Sequence, residues 1–241
     1  MNKYLGILVS LIAGLSTIIG YFAIYIKGDK RKIISYFLSF SAGVMIMLSI
    51  IDLIPSGVKY LIKEDNLVIC IIVSFLAGFL VSYITEKCSS NNDELYSTGI
   101  ISMVGFILHN IPEGIVTYAL STVDLKLGIL LAFAIMLHNI PEGISIAIPI
   151  YYSTKNKKKS FFYTAIAGLS EPFGAVISFI FLSKYINTFI MGFIYIFVAG
   201  LMIYIAIFQL IKTSKKYNKN VNYFTLYGAI FILLIEIILK I

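Results

Sequence analysis

Eight apolar stretches, each long enough to cross a bilayer, leave this chain few folds to choose from. They cover residues 4–26, 33–54, 67–85, 98–120, 126–150, 161–183, 186–211 and 223–240. About 20 apolar residues wound as a helix match the ~30 Å hydrocarbon thickness of a membrane. Backbone N–H and C=O groups find no water there, so each stretch must satisfy its own hydrogen bonds, as a helix does. The chain is 59% hydrophobic and only 13% charged, which excludes an ordinary soluble domain. The expected fold is an all-α polytopic membrane protein, a single transmembrane domain over residues 1–241, because no loop is long enough for a separate soluble unit. The first stretch follows a lone Lys3 and ends without a small-residue cleavage site, so it reads as a retained first helix.

The basic residues give the orientation. Lys27, Lys30, Arg31 and Lys32, then Lys87, then Lys155 and Lys157 to Lys159, then Lys212, Lys215, Lys216 and Lys219 fall in one set of alternate loops. Lys3, Lys59, Lys63, Lys126, Lys184 and Lys240 fall on the other side. The first set is larger by about two to one, which places it in the cytoplasm and both termini outside. The net charge of +7 therefore reports topology and implies no nucleic-acid partner. Cys70 sits inside an apolar stretch and Cys88 beyond its end, too far apart along a helix to pair. Small residues at Gly14, Ser16 and Gly20, at Ser39, Ser41, Ala42 and Gly43, and at Ala199 and Gly200 mark close helix contacts.

Within this apolar chain the hexapeptide His109-Asn110-Ile111-Pro112-Glu113-Gly114 recurs letter for letter as His138-Asn139-Ile140-Pro141-Glu142-Gly143, and these are the only two histidines. Ionisable groups inside a membrane span are costly and point to function. His and Glu, four residues apart, share one helix face. Proline lacks an N–H, so a carbonyl of the preceding turn loses its helical partner nearby. Stretch six adds Gly168-Leu169-Ser170-Glu171-Pro172-Phe173-Gly174, again a mid-span glutamate beside proline. Glu236, near the outer end of stretch eight with no Pro or His beside it, reads as a packing or snorkelling acid.

Stretches four and five are joined by a short loop and should pack as antiparallel neighbours. His109 then comes level with Glu142 and Glu113 with His138, related by a pseudo-two-fold axis in the membrane plane. Two His, two Asn and two Glu converge on one depth, with Glu171 placed to complete the cluster. Three carboxylates in spans whose one basic residue is Lys126, at the very end of stretch five, need protons or metal ions for neutrality. One or two divalent ions would serve, and the coupled carboxylates would take up protons when the metal leaves. Asp52 near the outer end of stretch two and Gln209 near the inner end of stretch seven hint at a wider inverted repeat.

These motifs resemble the ZIP divalent-metal transporters, closest to their prokaryotic broad-range branch. The likeness covers nearly the whole chain and includes the Ala13-Gly14-Leu15-Ser16-Thr17 and Ser41-Ala42-Gly43-Val44-Met45 runs. It implies eight helices in a 3+2+3 arrangement with an inverted repeat, and a binuclear site at the midplane. In that site His109 and His138 would hold one metal, Asn110, Asn139 and Glu171 the other, and Glu113 and Glu142 would bridge. Three departures stand out, one being Asp52 where relatives often have Glu. The loop from Ser89 to Ser97 lacks the His-rich segment many members carry. Stretch seven ends Phe208-Gln209-Leu210-Ile211-Lys212 where relatives tend to have an acidic pair.

The expectation is a multi-pass protein of the cell (cytoplasmic) membrane, and not an enzyme. It would move zinc, with iron, manganese, cobalt or cadmium as further candidates, into the cytoplasm. Zinc is then a transported ligand and no cofactor is expected; the partners are divalent metal ions and the lipid bilayer, with a homodimer left open. The alternative is an intramembrane metal-dependent hydrolase, which needs an open metal position and a separate general base. The absence of His-Glu-x-x-His and the two-fold arrangement of ligands argue against it. A metal sensor without flux would need an output domain that the chain lacks.

Overall fold

The computed structural model describes residues 3–62, 64–89, 93–180, 188–219 and 221–239. Among them there is no strand, and eight helices are long and apolar enough to cross a membrane. We label these α1 (Lys3–Tyr21), α2 (Lys30–Leu61), α3 (Leu67–Ser89), α4 (Glu94–Val123), α5 (Leu125–Thr154), α6 (Lys157–Ile180), α7 (Thr188–Tyr217) and α8 (Asn222–Leu239). A 3₁₀ turn, Phe22–Tyr25, follows α1. Helix α2 is wound as a π-helix over Ser49–Leu53, and α7 over Ile205–Ile211.

Several helices run a turn or more beyond the apolar stretches expected from sequence. At the starts of α2 and α4 the reason is capping: Asp29 and Asp93 accept backbone N–H bonds there, so the first turn is built largely from polar residues outside the apolar window, and Asp124 caps α5 in the same way. Asp124 also ends α4, so α4 and α5 form a hairpin on a single linking residue. Lys155, with φ of 55°, ends α5 in the left-handed region. Pro112, Pro141, Pro149 and Pro172 all sit inside helices that continue through them.

Lipid is as apolar as the side chains, so helices associate here by close packing. Several pairs do so through reciprocal glycines. A Cβ on Gly143 of α5 would stand 1.9 Å from the Thr17 carbonyl oxygen of α1, and one on Gly114 of α4 would stand 1.8 Å from that of Glu171 in α6. Nothing larger than hydrogen fits there. Gly20 answers against Ile140, and Gly174 against Ile111. The same device joins α2 to α8 through Gly43 and Gly228, and α3 to α7 through Gly78 and Gly200. Helices α3 and α8 are the least buried, with Ile69, Leu76, Leu80, Leu234 and Ile238 exposed as lipid-facing side chains.

The larger set of basic residues gathers at one end. Lys30 and Lys155 both lie over the Tyr152 ring and Lys157 over that of Tyr25, while Lys212 pairs with Glu86 and Lys216 with Glu94. Lys59 closes the last turn of α2 and Lys126 opens α5, at the opposite end. Lys63, Lys184 and Lys240 of the smaller set lie outside the described residues.

Candidate metal site

The single-residue link at Asp124 sets the two hexapeptides at one depth, because it lies midway between His109 and His138. The facing pairs expected from spacing are formed. Glu113 Oε1 stands 3.1 Å from His138 Nε2 and equally 3.1 Å from His109 Nε2. Glu142 Oε1 stands 3.5 Å from His109 Nε2. The imidazole centroids are 6.2 Å apart. Two ligand atoms about 2 Å from one tetrahedral zinc lie about 3.3 Å from each other, so these separations suit a shared ion. His109, Glu113 and His138 offer ligand atoms all within 4.8 Å of one another.

Hydrogen bonding does not satisfy this cluster. Neither oxygen of Glu142 has a hydrogen-bond partner, nor does Oε1 of Glu171, and both residues are buried. His109 Nε2 is close to Glu113 but lacks hydrogen-bond alignment with it. Unsatisfied buried carboxylates are expensive, and a divalent cation removes that cost by coordination.

The asparagines are held differently. Asn110 Nδ2 donates to the Ala167 carbonyl of α6 at 2.9 Å. Asn139 Nδ2 donates to the Ala13 carbonyl of α1 at 3.2 Å and to Glu171 Oε2 at 2.9 Å. Both amide oxygens are buried without partners. An amide whose nitrogen is fixed by backbone leaves its oxygen free to face a cation, and carbonyl oxygens are ligands for harder ions. Glu171 thus joins Asn139 directly, while Asn110 is anchored to α6 one turn away from Glu171.

Glu113 is the exposed member, its side chain 14% accessible. It faces a cavity of about 70 Å³ whose walls include Asp52, His109, Glu113, His138, Tyr195 and Glu236. The cavity opens the site toward the end away from the lysine cluster. Glu236, which reads from sequence as a packing acid, lines it beside Asp52; being an ionisable residue inside an apolar helix was the signal. Tyr195 gave no such signal. Ser41 was legible only as a packing residue, yet its hydroxyl donates to the Pro141 carbonyl at 2.7 Å and ties α2 to the second hexapeptide.

The profile of the ZIP zinc-transporter family matches residues 89–236, which include both hexapeptides and the α6 motif. The zinc transporter ZupT of Clostridium perfringens is 33% identical, over 95% of this chain and 92% of that protein. The zinc transporter ZupT of Oceanobacillus iheyensis is 32% identical, and that of Streptococcus mutans 31%, each over 95% of this chain and 94% of the relative. These relatives are bacterial, in keeping with the prokaryotic branch that the motifs resemble. The chain is a multi-pass membrane protein and belongs to the ZIP zinc-transporter family.

Proposed function

We propose that this protein carries zinc across the cytoplasmic membrane into the cytoplasm, with iron(II), manganese, cobalt and cadmium as further cargo, through a binuclear site at the middle of the bundle. The observation that carries the reading is the Glu113 carboxylate, equidistant from two buried imidazoles. His109, His138, Glu113 and Glu142 form the nitrogen-containing position. Asn110, Asn139 and Glu171 form an oxygen-rich position, with Glu113 and Glu142 between the two. Mixed imidazole and carboxylate donors suit divalent ions of borderline softness. The relatives' description as zinc transporters supports zinc as the first cargo.

The reciprocal glycine contacts support an inverted repeat. They pair α1 with α5 as α6 is paired with α4, and α2 with α8 as α7 is paired with α3. The π-wound segments of α2 and α7 fall on the same correspondence. A site on the axis of such a repeat presents similar faces to both membrane surfaces, which suits alternating access. The lysine-rich end is then cytoplasmic. Competitive metal uptake into proteoliposomes holding the purified protein tests the reading. Zinc should accumulate and be displaced by the other ions, and a failure of zinc to enter would overturn it.

A further inference from the structure

We propose that a groove between the end of α1 and the start of α6 binds an anionic phospholipid of the leaflet at the lysine-rich end, with the phosphate held by Lys157 and Lys158. The two helices touch backbone to backbone at Gly14 and Gly168, and toward the lysine-rich end they part around a groove of about 750 Å³. Tyr21, Tyr25, Phe161, Phe162 and the lysines 157–159 line it. Tyr21 is buried and forms the floor, its ring edge to face with Phe161 at 5.3 Å and its hydroxyl 3.1 Å from that of Tyr25. Tyr25, Phe161 and Phe162 are exposed. Lys157 and Phe161 are four residues apart on α6, as are Lys158 and Phe162, so each ammonium stands one turn above an exposed ring on the same face. A phospholipid has the same order, with its charge outermost and its chains beneath.

The charges of this groove lack a counter-ion from the protein. At the same end of the bundle Lys212 pairs with Glu86 and Lys216 with Glu94, while Asp29 and Asp93 cap helices. Among the described residues, none of the three groove lysines has a carboxylate partner. Lys157 lies instead 4.5 Å over the Tyr25 ring, and Lys159 4.5 Å over that of Tyr96. A ring face attracts a cation but leaves its charge uncancelled. Orientation in the membrane accounts for lysines at this end, yet it needs no aromatic groove beneath them. Basic pockets between helices at headgroup height are where anionic lipid phosphates bind. Each lysine offers such a phosphate a charge-assisted hydrogen bond. The aromatic walls then hold the upper part of the acyl chains, which a soluble anion would leave uncovered.

Fluorescence quenching tests this. The chain has no tryptophan, so Phe162→Trp places a single reporter in the groove. Tyr227→Trp places another on an exposed face of α8, as far from the start of its helix as Phe162 is from the start of α6. Each variant is held in nanodiscs of phosphatidylcholine with a minor share of phosphatidylglycerol. Bromine, the quencher, is carried either by the phosphatidylglycerol or by an equal share of the phosphatidylcholine. At position 162 the brominated phosphatidylglycerol should appear enriched about ten-fold over its phosphatidylcholine counterpart, as two lysines near the membrane surface would give. At position 227 the two should quench alike. Lys157→Gln with Lys158→Gln changes two exposed side chains and should remove the preference at 162. Equal quenching by the two lipids at 162, an equal preference at 162 and 227, or a preference that survives the double glutamine change would overturn the proposal. Inorganic phosphate in excess should leave the quenching unchanged, and full displacement by it would make this a free-anion site instead. A second measurement needs no tryptophan. Phosphatidylglycerol added to the detergent-solubilised parent should raise its melting temperature more than that of the double glutamine variant, and an equal rise in both would also count against the groove.

Discussion

Gly143→Ala should damage transport more than its single added methyl suggests. That Cβ would stand 1.9 Å from the Thr17 carbonyl oxygen, and real contacts of this kind do not come within 3.0 Å. Backbone cannot rotate away as a side chain does, so α1 and α5 must part by about 1 Å, an overpacking strain of about 1–3 kcal/mol. Asn139, on α5, donates to Ala13 of α1 at 3.2 Å; that bond stretches past useful length, at a further cost of about 1 kcal/mol. If α1 yields, it carries α6 with it, because Gly14 and Gly168 are in mutual backbone contact, and Glu171 then draws away from Asn139. If α5 yields, His138 and Glu142 move from Glu113 and His109. Ligand constellations tolerate displacements of only about 0.5 Å. The expected result is a loss of roughly ten- to 100-fold in the initial rate of zinc uptake, normalised to folded protein in the membrane. Gly6→Ala on α1 is the comparison, since the nearest atom to its Cβ would be in the Tyr118 side chain, 2.9 Å away, and the nearest backbone atom, the Tyr118 oxygen, stands 3.3 Å away; it should keep most of its activity. Parental uptake by Gly143→Ala with an unchanged melting temperature would refute the reasoning.

Glu113→Ala and Glu142→Ala should each abolish zinc uptake while the protein still elutes as a folded species, and uptake near the parental rate in either would remove that carboxylate from the mechanism. His138→Ala should cost more zinc uptake than Asn139→Ala, because imidazole is the softer donor. Glu171→Gln should weaken the oxygen-rich position without stopping flux; a Glu171→Gln variant as inactive as His138→Ala would show that the two positions act as one unit. Cysteines placed at Lys157 and Lys216 should resist an impermeant thiol reagent on intact cells, and one placed at Lys59 should react. Labelling at position 157 but not at 59 would invert the topology.

Much of the site was legible because both hexapeptides sit on one hairpin. The repeat of His and Glu at four-residue spacing, reflected across a short loop, leaves little freedom in which side chains meet. The helix count followed from length and apolarity in the same way. What stayed hidden depended on partners from distant helices. The Ala13 and Ala167 carbonyls that orient the two asparagines look like any other helix carbonyls in the sequence. Ser41 and Gln209 are polar residues in apolar runs, and only the facing helix shows that one is bonded and the other has an unpaired amide nitrogen. The π-winding of α2 ends just before Pro55, whose missing N–H disturbs the regular ladder. The winding of α7 has no proline beside it, and nothing in its sequence announces it.

The distribution of close contacts bears on how such a site can open. The helices that carry ligands are locked to their neighbours by backbone contact at Gly143, Gly20, Gly114 and Gly174, each position too tight for a Cβ. The α4–α7 seam is held at Gly105 by the ends of the Ile205 and Leu201 side chains, and nearer the lysine-rich end by one hydroxyl pair and one exposed ion pair. Exposed ion pairs contribute about 1 kcal/mol or less, and a methyl on a glycine withdraws by a rotamer change. Separation at that seam therefore disturbs less packing than separation within α1, α4, α5 and α6. In the transport reading proposed above, a cation held between Glu113, Glu142 and the two imidazoles would keep its ligand geometry while the surface beside it changes.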